Sequence, residues 1–446
     1  MSKNNHEIAR KILMEGIKGV LPGKLITDLV SVRASILKIA YCSYDLTKLN
    51  RIFVIGAGKA SAAMAHYLES IIGNKISGGY IVTKYGHSCK LKYITVAEAG
   101  HPVPDSNSYK AAEEILRIAS AASVNDLVIC LWSGGGSALL ADHPENSSQE
   151  EMSILNEKLV RCGADINEIN VVRKHLSCVK GGQLASKIKP AAAVTILISD
   201  VIGDHPDIIA SGPTVPDNST FADALNVLEK YNMTEHLPAS LIDYIKEGVH
   251  GLRPETPKAE DPAFCDNVVF MAGNNRAALL SARAEAEKNG FNTFIITDSL
   301  MGDTSEACSY ISGELYNYLN NKEVPKPVCL LFGGETTVKV EGSGKGGRNQ
   351  HLALSMAFRL REIPGITLVS AGTDGNDGDT DAAGAVVDSD TIRESIEKNI
   401  DPEVYLRHFN SYNYFRLAGG LIQTGPTLTN VMDLIIVLID NPQSQH

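Results

Sequence analysis

The sequence predicts an α/β protein of two lobes, and three features carry the prediction. Short apolar runs end repeatedly in glycine-rich turns and lead into amphipathic stretches, the alternation that builds a parallel sheet with helices on both faces. The alternation stops once, in Gly248–Pro262 (GVHGLRPETPKAEDP), where prolines and charges displace periodic apolar residues, and then restarts. The chain is also long enough: 446 residues, 44% hydrophobic and 21% charged, correspond to two or three domains at ~150 residues each. The expected division is a first lobe over 1–250, a linker over 251–262 and a second lobe over 263–446.

The N-terminal segment MSKNNHEIARKILMEGIKGVLP spaces charged and apolar residues as a helix does and lacks the unbroken apolar core of a secretory signal. RIFVIGAG reads as a buried strand and KASAAMAHYLESII as the helix after it. GGYIVTK and YITVAEAG are strands, YKAAEEILRIASAA is a helix, and DLVICLWSGGG and AAVTILISDV are two further strands. Each strand runs into small or polar residues at its C-terminal end. Open α/β sheets bind ligands at that edge, so four of these turns are expected to face one cleft. Beyond the linker, NVVFMAGN, FNTFIITDS, PVCLLFGG, ITLVSAG and NVMDLIIVLI are strands; NRAALLSARAEAEKNG, a segment through Tyr316 and RNQHLALSMAFRLREI are helices.

Charge and cysteine usage narrow the functional classes. The 41 Lys and Arg residues against 52 Asp and Glu give a net charge of −11. Without Lys/Arg runs, such a chain is a poor sequence-independent nucleic-acid binder, which must neutralise many phosphates. An anionic small substrate stays open, met by local cations. No stretch approaches the ~18 apolar residues of a membrane span. The eight cysteines form no CxxC pair and several sit in apolar runs, the pattern of reduced core residues in a cytoplasmic protein.

Six segments could carry chemistry. Gly56-Ala57-Gly58-Lys59-Ala60-Ser61 joins a strand to a helix, where backbone amides and the helix dipole can hold an anion. It lacks the third glycine of the dinucleotide fingerprint, and no GxxxxGK[ST] occurs in the chain. A structural tight turn is the alternative, although a lysine in the first helical turn opposes the dipole and suggests an anion nearby. Ser133-Gly134-Gly135-Gly136-Ser137 resembles a phosphate-binding nest, or else a flexible turn. NEINVVRKHLSCVKGG concentrates Arg173, Lys174, His175 and Lys180; if helical, Arg173 and Lys180 share a face that lines a cleft, against the alternative of a solvated basic face.

Asp200 and Asp204 end an apolar run and suit Mg²⁺ or a base, or simply make a turn. Glu335, in GGETT, is soon followed by the glycine-rich Gly342–Gln350, which delivers Lys345 and Arg348 to a helix start. Thr373–Asp381 (TDGNDGDTD) is the densest carboxylate cluster. Read from Asp377 as an EF-hand, it has Ala382 where glycine and Asp388 where glutamate should stand, so a Mg²⁺-associated or helix-capping loop, including Asp374, is the better expectation.

The ordered motifs GAGKA, GHPVPDS, SGGGSALL, INEINVVRKHLSCVKGG, ISDVIGDHPDIIASGPT, GGETTV, GKGGRNQ and TDGNDGDTDAAGA resemble those of the class II glycerate kinases, the glycerate 2-kinases, over nearly the whole chain. The resemblance implies an N-terminal Rossmann-like parallel-sheet domain and a C-terminal α/β MOFRL domain with a mixed sheet. It implies transfer of phosphate from ATP, with Mg²⁺, to the 2-hydroxyl of D-glycerate in a cleft between the lobes. Lys59 and Arg348 occupy the positions of the catalytic lysine and arginine, with Asp200 as a further catalytic candidate. Gly56, Gly58 and Ser133 to Ser137 (Gly134, Gly135, Gly136) are expected at the nucleotide, Arg173, Lys180, Glu335 and Arg348 at the substrate, and Asp200, Asp204 and Asp374 at the metal. D-glycerate and the nucleotide are the expected partners, with no nucleic acid or membrane, and a homodimer stays open. The chain departs from the family pattern at His351, where Glu usually follows RNQ, and at Leu428, where Gly is usual. The alternatives are an NAD(P)H-dependent hydroxypyruvate reductase and a non-catalytic sugar-acid-binding protein.

Overall fold

The computed structural model describes residues 2–440. The chain forms two compact units, one spanning Leu25–Ala272 and the other combining the residues up to Lys24 with those from Gly273 onward. In the first, β1 (Val30–Arg33), β2 (Ile36–Ile39) and β3 (Cys42–Asp45) make a small antiparallel sheet. The main sheet contains β4 (Arg51–Ala57), β5 (Gly78–Lys84), β6 (Thr95–Ala99), β7 (Asp126–Trp132), β8 (Ala192–Ile198) and β9 (Asn267–Gly273), in the order β6-β5-β4-β7-β8-β9. The ladders from β6 through β8 are parallel, as the strand–turn–helix alternation predicts. Every residue of β7 is buried, the mark of a central strand covered on both faces. Ile55, Val82, Cys130 and Trp132 pack there against Ala111 and Ile115 of helix Ser106–Ser120. Four helices between residues 149 and 249 build a separate core around Leu155, Val172, Phe221 and Leu241.

The second unit carries β10 (Asn292–Leu300), β11 (Val328–Gly334), β12 (Ile366–Gly372), β13 (Gly384–Asp388), β14 (Leu421–Ile422) and β15 (Asp433–Ile439), in the order β10-β11-β15-β12-β13-β14. Only the β10–β11 pair of these ladders is parallel, so the sheet is mixed. Helix Arg348–Leu360 covers it with Leu352, Met356 and Leu360. No helix among the described residues is long and apolar enough to cross a membrane.

Two elements lie elsewhere than the 1–250/263–446 division places them. Strand β9 follows the proline-rich segment, yet it lies beside β8 as the sixth strand of the first sheet. Helix Ser2–Gly19 packs in the second unit: Ile12, Leu13 and Ile17 are buried, Asn5 donates to Asp440 at 2.7 Å, and Lys11 pairs with Glu285 at 2.6 Å. Gly16 and Gly19 permit this, since a Cβ on either would press on Ala282 or Ser281 of helix Asn275–Lys288. Prolines and charges mark a surface excursion, and amphipathic spacing marks a helix; neither specifies which sheet receives the next element.

Candidate functional site

The C-terminal edge of the parallel sheet gathers residues from four strand ends. Lys59 follows β4, His101 follows β6, the Ser133–Ser137 loop follows β7 and Asp200 follows β8. The triple glycine lets them meet. A Cβ on Gly134 would lie 1.8 Å from an Asp200 carboxylate oxygen. A Cβ on Gly135, where φ is +81°, would lie 2.8 Å from the Cδ2–Nε2 edge of His101 and 3.5 Å from Cε of Lys59.

The two glycine loops differ in what their backbones have left to offer. In the first, the amides of Gly58, Lys59, Ala60 and Ser61 donate to Val82 O, Gly134 O, Ser133 Oγ and Gly58 O, respectively. Gly56 is needed because a Cβ would strike the Leu131 carbonyl, and Gly58 because one would strike Ser133. These two glycines therefore have a packing task, and the expected amide cradle at residues 56–61 is not formed. Ser133, buried, ties the loops together. In the second loop, the amides of Gly135 and Ser137 meet no protein acceptor among the described residues, which leaves the nest geometry available to an anion there.

A cavity of about 640 Å³ opens beside this loop. Pro102, Val103, Met152 and Val160 give it apolar walls, and His101, Gly135, Ser137, Arg173 and Lys180 line it as well. Helix Ile166–His175 ends before Lys180, so Arg173 and Lys180 do not share a helix face; the turn over residues 176–180 brings both to the cavity. Lys180 is a strut. Its Nζ donates to Leu140 O at 2.7 Å and to Asp142 at 3.3 Å, and Asp142 also accepts from Ser177 and from the Cys178 amide. Burial pushes the Lys180 ammonium down, against the pull of Asp142. Arg173 donates from Nε to Asn156 at 2.8 Å, and its terminal nitrogens have no partner among the described residues. Lys174 and His175 are not a solvated face. Both are buried, Lys174 between Asp207 and Asp217 and His175 between Val171 O and Glu255.

His101 and Lys59 are likewise unengaged. Neither ring nitrogen of His101 has a hydrogen-bond partner among the described residues, and the Lys59 ammonium meets no carboxylate there. Burial, then the charges of Lys59, Lys84 and His87, push His101 down to about 4, so the ring is neutral at physiological pH.

The second unit treats its cation differently. Arg348 opens helix Arg348–Leu360 and donates to both oxygens of Asp433, at 2.6 and 3.0 Å, while its third nitrogen reaches Glu335 at 2.7 Å. Burial opposes the charge, but Asp433, Glu335 and Asp377 together hold the guanidinium above its ordinary value. The N-cap residue, Gly347, has no side chain to cap the helix. Asp377 caps it from the acidic loop, accepting from the amides of Asn349 and Gln350 at 3.0 and 2.8 Å. A Cβ on Gly347 would lie 2.3 Å from that carboxyl. Burial raises Asp377 to about 6, with the two amides working against it. Asp374 closes a local turn by accepting from the Asn376 amide at 3.0 Å. Among the described residues, no three His, Cys, Asp or Glu side chains gather as a metal cage.

Residues 8–246 match a family described as a domain of unknown function (DUF4147), and residues 328–433 match the MOFRL family. The chain is 42% identical to the D-glycerate 2-kinase of Thermotoga maritima over 97% of this chain and 98% of that one. The chain belongs to the glycerate 2-kinase family. It is also 40% identical to the glycerate 2-kinase of Pyrococcus horikoshii over 98% of each chain. The crystal structure of Thermotoga maritima glycerate kinase matches it with a TM-score of 0.87 at 40% identity, covering 98% of this chain and 100% of that one.

In this member of the glycerate 2-kinase family, His101 beside Lys59, Asp142 beside Lys180 and Asp433 beside Arg348 were not singled out by sequence, whereas Asp377 stood in the acidic cluster but as a metal or capping candidate with no link to Arg348. GHPVPDS, directly after a strand, was a usable signal for His101. Asp142 and Asp433 carry none, since each acquires its place through partners 38 and 85 residues away.

Proposed function

We propose that the chain transfers the γ-phosphoryl group of ATP to the 2-hydroxyl of D-glycerate, giving 2-phosphoglycerate and ADP. One observation carries the reading. Lys59, against the glycine loop whose Gly135 and Ser137 amides are unspent, and Arg173, on the wall of the adjoining cavity, are cations that meet no anionic partner among the described residues. Partly buried cations left in this state call for an anionic ligand. Full-length similarity to a D-glycerate 2-kinase supports a glycerate acceptor.

Phosphoryl transfer depends mostly on positioning and charge stabilisation. Lys59 is assigned to the transferring phosphate, and the amides of the Ser133–Ser137 loop to the nucleotide phosphates. Arg173 takes the substrate carboxylate, and Lys180 holds the cavity floor through Asp142. A cavity of about 640 Å³ exceeds what a three-carbon acid fills and leaves room for part of a nucleotide. Arg348, aimed by Asp433 and Glu335, is the second cation assigned to the phosphoryl group or the acid. Asp200 offers a hard oxygen against the nucleotide loop and, with Asp204, would hold Mg²⁺, which needs only one or two carboxylates besides phosphate oxygens and water. Bound Mg²⁺ supplies charge neutralisation at the phosphates. The spent amides of residues 58–61 weigh against the reductase alternative, which needs that turn for a pyrophosphate.

The test is incubation of the purified chain with ATP, Mg²⁺ and D-glycerate, followed by phosphorus NMR. 2-Phosphoglycerate is expected. 3-Phosphoglycerate would overturn the regiochemistry, and NADH consumption with hydroxypyruvate in place of any phosphorylated product would overturn the kinase.

A further inference from the structure

We propose that His101 is a catalytic residue of this site, accepting the proton of the acceptor hydroxyl as that oxygen attacks phosphorus. The proposal rests on the kinase reading and adds to it the group that takes the proton.

Three features of the site converge on His101. Its ring lines the cavity, and its Cδ2–Nε2 edge lies against Gly135 on the glycine loop that also receives Lys59. The ring is only half-buried and makes no hydrogen bond among the described residues, so no structural partner accounts for its place. The carboxylates around the cavity are otherwise engaged: Asp142 by Ser177, Cys178 and Lys180, and Glu157 by Arg161 at 2.9 Å. Asp200, pressed against Gly134, is the residue assigned to Mg²⁺.

In the step itself, the hydroxyl proton passes to a neutral imidazole nitrogen. The oxygen–phosphorus bond forms, the bond from phosphorus to the bridging oxygen of ADP breaks, and its electron pair leaves on ADP. Lys59, Lys84 and His87 are the charged or titratable groups that act on the ring. Burial, and after it their field, keep it in the proton-accepting form and favour rapid release of the captured proton to solvent, which resets the site.

The test compares His101→Gln with wild type. Glutamine keeps a polar side chain of similar reach but cannot take up a proton. General-base catalysis contributes about 10²–10⁴-fold, and in a loose phosphoryl transition state the lower end applies. kcat is therefore expected to fall by about 10²-fold, with KM for D-glycerate changed less than about threefold and an unaltered unfolding midpoint. Added imidazole should restore part of the kcat of His101→Ala. A variant that keeps wild-type kcat, or loses only KM, overturns the proposal while wild-type turnover upholds the kinase reading. Wild-type protein that yields no phosphorylated product overturns both. A measurement on unmutated protein covers the case in which the variants do not fold: modification of His101 by diethyl pyrocarbonate, followed by mass spectrometry, should be blocked by D-glycerate with a non-hydrolysable ATP analogue. Unchanged labelling overturns contact between His101 and the reactants.

Discussion

At the end of β4, Lys59 has no carboxylate within ion-pair distance among the described residues. At the start of helix Arg348–Leu360, the guanidinium is shared by Asp433 and Glu335, and the helix end behind it is capped by Asp377. Both cations come from glycine-rich segments that open a helix, and the sequence presents them as equivalents. Their surroundings separate them. The Lys59 charge has no carboxylate partner among the described residues and stands at a helix start, at the expense of helix-dipole energy. The Arg348 charge is held within a network that depends on it, because removing a partner from a buried ion pair strands the opposite charges. A cation beside a glycine-rich helix start can thus be left unpaired or fixed in direction, and only the second kind is also a structural element.

Removing each cation breaks the comparison most directly. Lys59→Ala is expected to lower turnover by about 10³-fold, the scale of one lost transition-state donor, with the unfolding midpoint unchanged. Arg348→Ala is expected to lower turnover comparably and also to cost about 3 kcal/mol of stability, read by denaturant titration alongside the assay. If Lys59→Ala destabilised the fold as much as Arg348→Ala, the distinction would collapse.

The glycine loop gives the next effect. Gly134→Ala forces a Cβ onto the Asp200 carboxylate and should reduce turnover by at least tenfold (about 1.4 kcal/mol in barrier), accompanied by a weaker response to Mg²⁺ in the assay. Gly73→Ala is the control. There φ is +60° and ψ −133° with nothing near the new Cβ, so only backbone strain of about 1–3 kcal/mol is expected, with activity kept.

The Arg348 side should also carry a pH signature. Asp377 stands at about 6 in the folded protein against about 3.9 when unfolded. Between these values the folded state binds more protons, so stability is expected to fall as pH rises from about 4 through 6. Asp377→Asn should flatten that slope in thermal unfolding at a series of pH values. The smallest expected effect lies at Leu428, held at φ +63°. Leu428→Gly should raise stability by about 0.5–1 kcal/mol, measured by denaturant titration, and leave turnover unchanged.

The sequence by itself determined the α/β character, strands β4–β12 and β15 with several of the helices beside them, and the ordered motifs that mark the family, because periodicity and turn chemistry are local. Lys59 and Arg348 were legible for the same reason: each sits beside its own glycines. The short strands β1–β3, β13 and β14 and the helices packed around Leu155 and Phe221 were not legible in the sequence. Tertiary structure decided what distance along the chain conceals. It sent helix Ser2–Gly19 to the second unit and β9 to the first sheet, spent the amides of residues 58–61 on the protein while leaving those of Gly135 and Ser137, and turned Lys180 into a strut. It also laid His101 against Gly135, and Asp433 and Asp377 against the Arg348 helix. Whether a polar group serves a ligand or the fold depends on which partners reach it first, and those partners come from strands and loops that only packing brings together.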